Sequence, residues 1–269
     1  MRIAALGDST SCGEGVGVRV PVARTWPAVL AAAVPGARLT LLARAGARVR
    51  DVRAGQLAAA VAGAPDVATV LAGLNDVARS DLDPAALADD LGAVVSGLRA
   101  AGAVVVLGRL HDPGRVLPLP AGVRAAVRGR VGAVNAAVDA AAADPGVLVL
   151  DLAAVPSVTD RRAWDVDRLH PTAALHARIA AAAGALLTAA GLPVRVPDPP
   201  PLPPTPGPAR ELAWAARHGL PWVAAHLTGL VAAARELGDP RVAGSARDGE
   251  AAPGGGPGVW PARVSGGSA

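Results

Sequence analysis

Four short motifs contain residue types that together perform acyl-transfer chemistry. Serine attacks a carbonyl at neutral pH only when a base takes its proton, and histidine does this when a carboxylate orients its ring. Ser9 is the candidate nucleophile, His170 the candidate base and Asp167 the candidate orienting carboxylate. The three-residue spacing of Asp167 and His170 allows one helical turn to present both side chains on one side.

The same chemistry needs hydrogen-bond donors for the oxyanion of a tetrahedral intermediate. The backbone N–H groups of Ser9 and Gly46 and the side-chain amide of Asn75 are the candidates. Glycine suits this role because it has no Cβ to block a close approach. The sequence therefore predicts one nucleophile, one base with its orienting carboxylate, and three oxyanion donors.

Each motif also has an ordinary structural explanation. A Gly-Asp-Ser sequence after a strand often forms a turn, and Asn-Asp or Asp-x-x-His-Pro can cap a helix. The catalytic hypothesis depends on the motifs occurring together in chain order, close to the ends of predicted strands or before the last predicted helix.

Alternating short aliphatic runs and longer Ala-rich stretches must position these motifs along residues 1–191. Their periodicities predict strands and helices respectively. The predicted strands are 2–6, 37–42, 67–72, 103–107 and 147–150, and the predicted helices are 26–33, 51–62, 84–101, 121–143 and 172–190. This order predicts an α/β fold, a three-layer α/β/α sandwich around a five-stranded parallel sheet. Functional groups gather beyond the carboxyl ends of such strands, where the motifs lie.

The motifs resemble the four sequence blocks of the SGNH (GDSL-type) hydrolase family. The blocks are Gly7-Asp8-Ser9-Thr10, Gly46, Gly73-Leu74-Asn75-Asp76 and Asp167-Arg168-Leu169-His170-Pro171. The resemblance implies a flavodoxin-like fold with strand order 2-1-3-4-5, and esterase, lipase or related acylhydrolase activity without a metal or cofactor. It also implies the roles assigned above to Ser9, Gly46, Asn75, Asp167 and His170.

Two positions depart from the family pattern. Thr10 replaces the usual leucine of the first block, and leucine replaces an asparagine often found shortly before Gly46. Neither position belongs to the proposed triad. The second departure leaves open how the loop around Gly46 is held.

Several other residues have competing interpretations. Asp8 and His111, at the same predicted edge of the sheet, are candidate substrate-binding residues. We expect Cys12 to be a small buried side chain and His176 to face solvent or pack on the last helix. The glycine-rich loop 13–17 lacks the spacing of a phosphate loop, and we expect it to be a flexible loop beside the nucleophile.

Composition excludes several classes of protein. The hydrophobic fraction of 52% suffices for a buried core, but no apolar run reaches the roughly 20 residues of a membrane span. All cationic side chains are arginines, spread along the chain, so we do not expect nucleic-acid binding despite the net charge of +4. A single cysteine excludes an intramolecular disulfide, and the short apolar N-terminus predicts a cytoplasmic protein.

A change of composition after residue 191 divides the chain. We predict a catalytic domain over 1–191, a proline-rich linker over 192–208, a helical segment over 209–237 and a disordered tail over 238–269. Trp214 and Trp222 give the helical segment an apolar face, so we expect it to dock on the core or on a partner.

The leading hypothesis is a serine hydrolase that cleaves carboxylic esters of small to medium groups. The alternative is an acyltransferase that uses the same triad with an alcohol acceptor in place of water. A non-catalytic binding module and a flavodoxin-type cofactor binder remain as hypotheses of other classes. The sequence predicts neither the ester substrate nor the oligomeric state.

Overall fold

A computed structural model describes residues 1–221 and contains one five-stranded parallel sheet. Its strands occur in the order β2-β1-β3-β4-β5, which confirms the order implied by the family resemblance. They span Arg2–Gly7 (β1), Arg38–Leu41 (β2), Val67–Leu71 (β3), Val104–Arg109 (β4) and Val147–Asp151 (β5). All five predicted strands are present.

The central strands are buried because helices cover both faces of the sheet. β3 has no exposed residue, and β1 is buried from Ile3 onward. Ile3 pairs with Val67 and Leu6 with Val70 in the parallel register. Such continuous aliphatic strands are typical of a parallel sheet covered on both faces.

Helices form the two outer layers. They span Ser9–Cys12 (α1), Trp26–Ala32 (α2), Val49–Gly55 (α3), Leu57–Ala62 (α4), Leu74–Val77 (α5), Pro84–Ala100 (α6), Ala121–Ala141 (α7) and Ala173–Ala189 (α8). Helix α2 packs against α8, whereas α6 packs against α3, α4 and α7. The predicted three-layer α/β/α architecture is therefore confirmed.

The predicted helix over 51–62 is wrong as a single element, because it is broken at Gln56. This residue ends α3 and precedes α4 with φ −120° and ψ −35°. Gly55 lowers the helix propensity just before the break, and the Gln56 side chain binds the backbone of Gly7 instead of facing solvent. The short helices α1 and α5 follow β1 and β3 and were absent from the prediction.

Helix ends follow the expected capping chemistry. Asp83 accepts hydrogen bonds from the backbone N–H groups of Ala85 and Ala86 at the start of α6, and Pro84 occupies the first helical position. Gly102 and Gly191 follow α6 and α8 with φ of 86° and 85°, a conformation that favours glycine.

Beyond α8 the proline-rich segment has no regular structure until Pro208. Helix α9 then spans Pro208–Trp214 and continues into a π-helical turn over Ala215–Gly219. Trp222 and the remainder of the predicted helical segment and tail lie outside the described residues. Within residues 1–221, no helix is long and apolar enough to cross a membrane.

Candidate active site

The turn after β1 presents Ser9 as the first residue of α1. Asp8 caps this helix by accepting a hydrogen bond from the Thr10 N–H at 2.9 Å. Gly7 adopts φ 136°, and a Cβ there would collide with the carbonyl oxygen of Leu71 on β3. Only glycine fits this position, which sets the direction in which the chain leaves the sheet toward Ser9.

Gln56 holds this turn from the side. Its buried side chain accepts a hydrogen bond from the Gly7 N–H at 2.8 Å and donates one to the Gly7 carbonyl at 2.9 Å. The Gly7 carbonyl also accepts from the N–H of Arg44, at the start of the loop that contains Gly46. Gly7 thus links the turn that contains Ser9 to the loop that contains Gly46.

Asn75 brings the second and third motifs together. Its amide nitrogen donates to the carbonyl of Ala47 at 3.0 Å and to the Asp8 carboxylate at 3.4 Å. Gly46 is exposed, with φ 78°, directly before Ala47. The predicted oxyanion donors therefore lie around one edge of the sheet.

A buried ion pair anchors the loop around Gly46. Arg48 donates from Nε to Asp76 at 3.1 Å and from Nη1 to Asp81 at 2.8 Å. The second oxygen of Asp76 accepts the Val49 N–H at 3.1 Å. Burial raises the pKa of Asp76, although its hydrogen bonds and Arg48 oppose this shift. These contacts hold the loop without the asparagine that the family pattern places there.

The loop before α8 carries the Asp167–His170 pair. The Asp167 carboxylate binds His170 Nδ1 through one oxygen and accepts the backbone N–H groups of Leu169 and His170 through the other, each at 3.0 Å. Burial acts to raise the pKa of Asp167, but these hydrogen bonds outweigh it and the pKa is lowered. Asp167 is thus held as an acceptor of a proton on Nδ1, which leaves Nε2 of His170 as the basic nitrogen.

Ser9 and His170 line one cleft of about 190 Å³, together with Gly13, Pro171 and His176. Gly15 lies against the imidazole of His170, where a Cβ would overlap the ring. Residues 13–17, which we predicted to be a flexible loop, thus form a wall beside the His170 ring. This loop is held in part by the Gly15 N–H, which donates to the Val18 carbonyl at 3.0 Å.

A second cleft of about 310 Å³ begins beside Asp8 and Thr10. Apolar side chains form most of its wall: Leu71, Leu74, Leu110, Leu152, Trp164 and Leu169. His111 completes it, with its ring stacked on Trp164 at a centroid distance of 4.7 Å. Burial lowers the pKa of His111 to about 4, so its ring is neutral at pH 7.

Other buried groups have structural roles. His176 is fully buried, not solvent-facing, and its Nδ1 accepts the Trp26 N–H at 3.2 Å. Burial lowers its pKa to about 3. Burial also raises the pKa of the Cys12 thiol and, despite hydrogen bonds that oppose it, that of Asp8 to about 6. Cys12 is therefore a buried thiol.

Sequence reasoning missed Gln56, Arg48 and Gly15. Their partners lie 49, 28 and 155 positions away along the chain, so no local spacing could indicate them. Within the described part of the chain, no group of three His, Cys, Asp or Glu side chains is arranged to hold a metal ion.

Comparison with known proteins identifies the family. The model of the GDSL-like Lipase/Acylhydrolase family matches residues 5–178, which is more than half of the chain. The chain belongs to this family. Family membership makes it a hydrolase that acts on ester bonds, as the sequence motifs predicted. A search of curated proteins finds no match.

Several solved structures share the fold. The structure of TesA is 22% identical and aligns over 70% of this chain and 99% of its own, with a TM-score of 0.56. A lipolytic protein of the G-D-S-L family from Veillonella parvula is 21% identical, over 70% and 98%, with a TM-score of 0.55. A variant of an acetyl-xylooligosaccharide esterase from Geobacillus is 20% identical, over 72% and 97%, with a TM-score of 0.55. These similarities support the three-layer α/β/α fold.

Proposed function

We propose that this GDSL-like enzyme hydrolyses carboxylic esters through an acyl-enzyme on Ser9. The observation that carries the proposal is the position of the Asp167–His170 pair. The pair is bound through Nδ1, and His170 shares a cleft with Ser9, the first residue of α1. A serine nucleophile needs a histidine that is oriented in this way beside it for activation, and this supports the proposal.

Catalysis begins when Nε2 of His170 accepts the Ser9 hydroxyl proton while Oγ bonds to the ester carbonyl carbon. The tetrahedral intermediate collapses with cleavage of the bond to the alcohol, which takes the proton from His170. Water then attacks the acyl-enzyme, again with His170 as base, and releases the acid and free Ser9. Asp167 stabilises the imidazolium in both half-reactions.

The oxyanion would be bound by the N–H groups of Ser9 and Gly46 and by the Asn75 amide. In the free enzyme the Asn75 amide already makes a 3.0 Å bond to Ala47 and a longer 3.4 Å contact to Asp8. The shorter bond fixes the side chain, while the weaker contact can be exchanged for the oxyanion. The Asn75 amide thus contacts Asp8 in the free enzyme and exchanges this contact for the oxyanion when substrate reacts.

The lining of the second cleft supports an apolar substrate group. Leucines and Trp164 dominate its wall, and a largely apolar lining is typical of small-molecule sites. His111 is neutral and contributes no charge. We therefore propose that this cleft binds an uncharged acyl chain, with His111 and Trp164 in contact with it.

Active-site labelling tests the proposal. A fluorophosphonate should modify Ser9 in the full chain, and S9A should abolish both labelling and ester hydrolysis while its melting temperature stays near that of the unmodified chain. Activity on p-nitrophenyl esters should be higher for short and medium acyl chains than for long ones. Labelling of another serine or of Cys12 would refute the mechanism.

Product analysis with an added alcohol tests the acyltransferase alternative. Free acid as the main product at millimolar alcohol would support hydrolysis, whereas a new ester as the main product would support transfer.

A further inference from the structure

The chain after α8 returns across the molecule to the loop that carries His170. We call residues 192–219 the strap; it begins beyond the family match, which ends at residue 178. Arg178 and Thr188 of α8 donate to the carbonyls of Pro200 and Val194, each at 2.9 Å. Val194 is buried, so the strap is packed on α8 before it reaches the active site.

Glu211 of the strap binds two arginines of the loop that carries Asp167 and His170. Its Oε1 accepts from Arg161 Nη2 at 2.8 Å and from Arg168 Nη2 at 3.2 Å. Arg168 lies between Asp167 and His170 in sequence and has φ 61°, which is unusual for a residue with a side chain. The Glu211 carboxylate thus binds Arg168, whose strained backbone lies inside the Asp167–His170 motif.

Arg161 extends this contact through the loop. Its Nη1 donates to the carbonyls of Trp164 and Asp165, each at 2.8 Å. The Asp165 N–H in turn donates to the His170 carbonyl at 2.8 Å. A continuous series of hydrogen bonds therefore runs from Glu211 to the backbone of His170.

Trp214 binds the loop that lies against the His170 ring. Its indole N–H donates to the Val16 carbonyl at 2.7 Å. The neighbouring residue, Gly15, packs against the His170 imidazole, and Gly17 packs against the ring of His218 in the strap. One short segment thus contacts both the loop that carries His170 and the loop that lies against its ring.

The exposure of these ion pairs indicates that they position the loop that carries His170 more than they stabilise the fold. The side chains of Glu211 and Arg168 are each about one-third exposed, at 32% and 31%. Ion pairs this accessible contribute little to the free energy of unfolding. A small misplacement of a catalytic group, in contrast, can reduce the rate by about 10²-fold.

We propose that Glu211 and Trp214 are positioning residues that hold His170 in its productive orientation. The proposal rests on the proposed role of His170 as the catalytic base. Glu211 acts through Arg161 and Arg168, and Trp214 acts through the loop that contains Gly15. Neither side chain touches the reacting atoms.

Substitutions in the full chain test this proposal. E211Q removes the charge at nearly unchanged shape, and W214F removes the indole donor while keeping an aromatic ring. D90N is the matched control, because it breaks the Arg53–Asp90 ion pair between α3 and α6, which lines neither cleft. The readouts are kcat and KM on a soluble p-nitrophenyl ester and the melting temperature.

We expect E211Q and W214F to lower kcat by about tenfold or more, with KM changed by less than about threefold. Their melting temperatures should stay close to that of D90N. R168Q combined with E211Q should lower kcat less than the product of the two single effects, because both remove the same bridge. Values of kcat for E211Q and W214F equal to that of D90N would overturn the proposal, as would losses explained by a fall in melting temperature.

Salt provides a second readout, since it screens exposed ion pairs. Raising sodium chloride to about 1 M should reduce kcat of the unmodified chain more than that of E211Q. Equal salt responses would count against the positioning role of Glu211.

The rate of fluorophosphonate labelling separates the two proposals. No labelling of Ser9 in the unmodified chain refutes the mechanism itself, whereas equally fast labelling of the unmodified chain and E211Q refutes only the positioning role.

Discussion

Gly15 and His170 are in direct contact although 155 positions separate them in sequence. A methyl group at position 15 would overlap the imidazole, which is fixed by Asp167 and cannot move without weakening that hydrogen bond. We predict that G15A lowers kcat by about 10²-fold, because the base leaves its productive position. Steady-state kinetics on a p-nitrophenyl ester measures the effect.

G92A is the control for this substitution. A Cβ at Gly92 meets only open space within α6, and alanine favours a helix over glycine. This variant should keep full activity and raise the melting temperature slightly. If G15A were as active as G92A, His170 would tolerate displacement and the interpretation of the contact would be wrong.

The proposed donor role of Asn75 can be separated from its structural role. We predict that N75A loses about 10² to 10³ in kcat, the usual effect of removing one preorganised oxyanion donor. N75D should be at least as damaging, because a negative charge would face a negative transition state. Near-normal turnover of N75A would mean that Asn75 only binds the Ala47 carbonyl and does not act as an oxyanion donor.

Local sequence indicated the residues that we propose to do the chemistry but not those that hold them. Ser9, Asn75 and the Asp167–His170 pair lie in short motifs whose residue types indicate their function. Gln56 and Arg48 show no such pattern, because their function depends on partners brought near only by the fold. The contact of Gly15 with His170 is invisible in sequence for the same reason.

At the scale of elements, Gln56 connects a helix break to the nucleophile turn. Its two hydrogen bonds satisfy the buried N–H and carbonyl of Gly7. We predict that Q56A lowers the free energy of unfolding by about 1 to 3 kcal/mol, because the buried Gly7 N–H loses its partner while the Gly7 carbonyl keeps the Arg44 N–H. Urea denaturation measures this loss.

Q56E distinguishes hydrogen bonding from simple space filling. It keeps the size and the acceptor for the Gly7 N–H but loses the donor to the Gly7 carbonyl. We expect it to be destabilised and less active on p-nitrophenyl esters than the unmodified chain. Unchanged stability and activity of Q56E would mean that the Gln56 side chain only fills space beside Gly7.

Element types were predictable because the hydrophobic periods differ between strands and helices. β3 is entirely buried and α6 buries one face, and both patterns are visible in the sequence. The break at Gln56 was not predictable, since 51–62 keeps a helical pattern through it. Tertiary hydrogen bonds to Gly7 override that local preference.

At the scale of the whole molecule, three buried groups with large pKa shifts contribute to the response of stability to acid. His176 and His111 have pKa values lowered by burial to about 3 and 4, below that of a free histidine. Between about pH 6 and 4 the unfolded chain binds protons at both positions and the folded chain does not, so unfolding becomes easier as pH falls. Asp8 acts in the opposite direction, because burial raises its pKa to about 6 and the folded chain keeps a proton that the unfolded chain releases.

These three effects leave a net uptake of one proton on unfolding in this range. We predict that the free energy of unfolding falls by about 1.4 kcal/mol per pH unit between pH 6 and 4. H176N, which keeps an acceptor for the Trp26 N–H but does not titrate, should reduce this slope to near zero. D8N keeps a good helix cap but removes the opposing effect, so it should about double the slope. Urea titrations at pH 6, 5 and 4 measure all three slopes, and equal slopes for the two variants would show that other groups control acid stability.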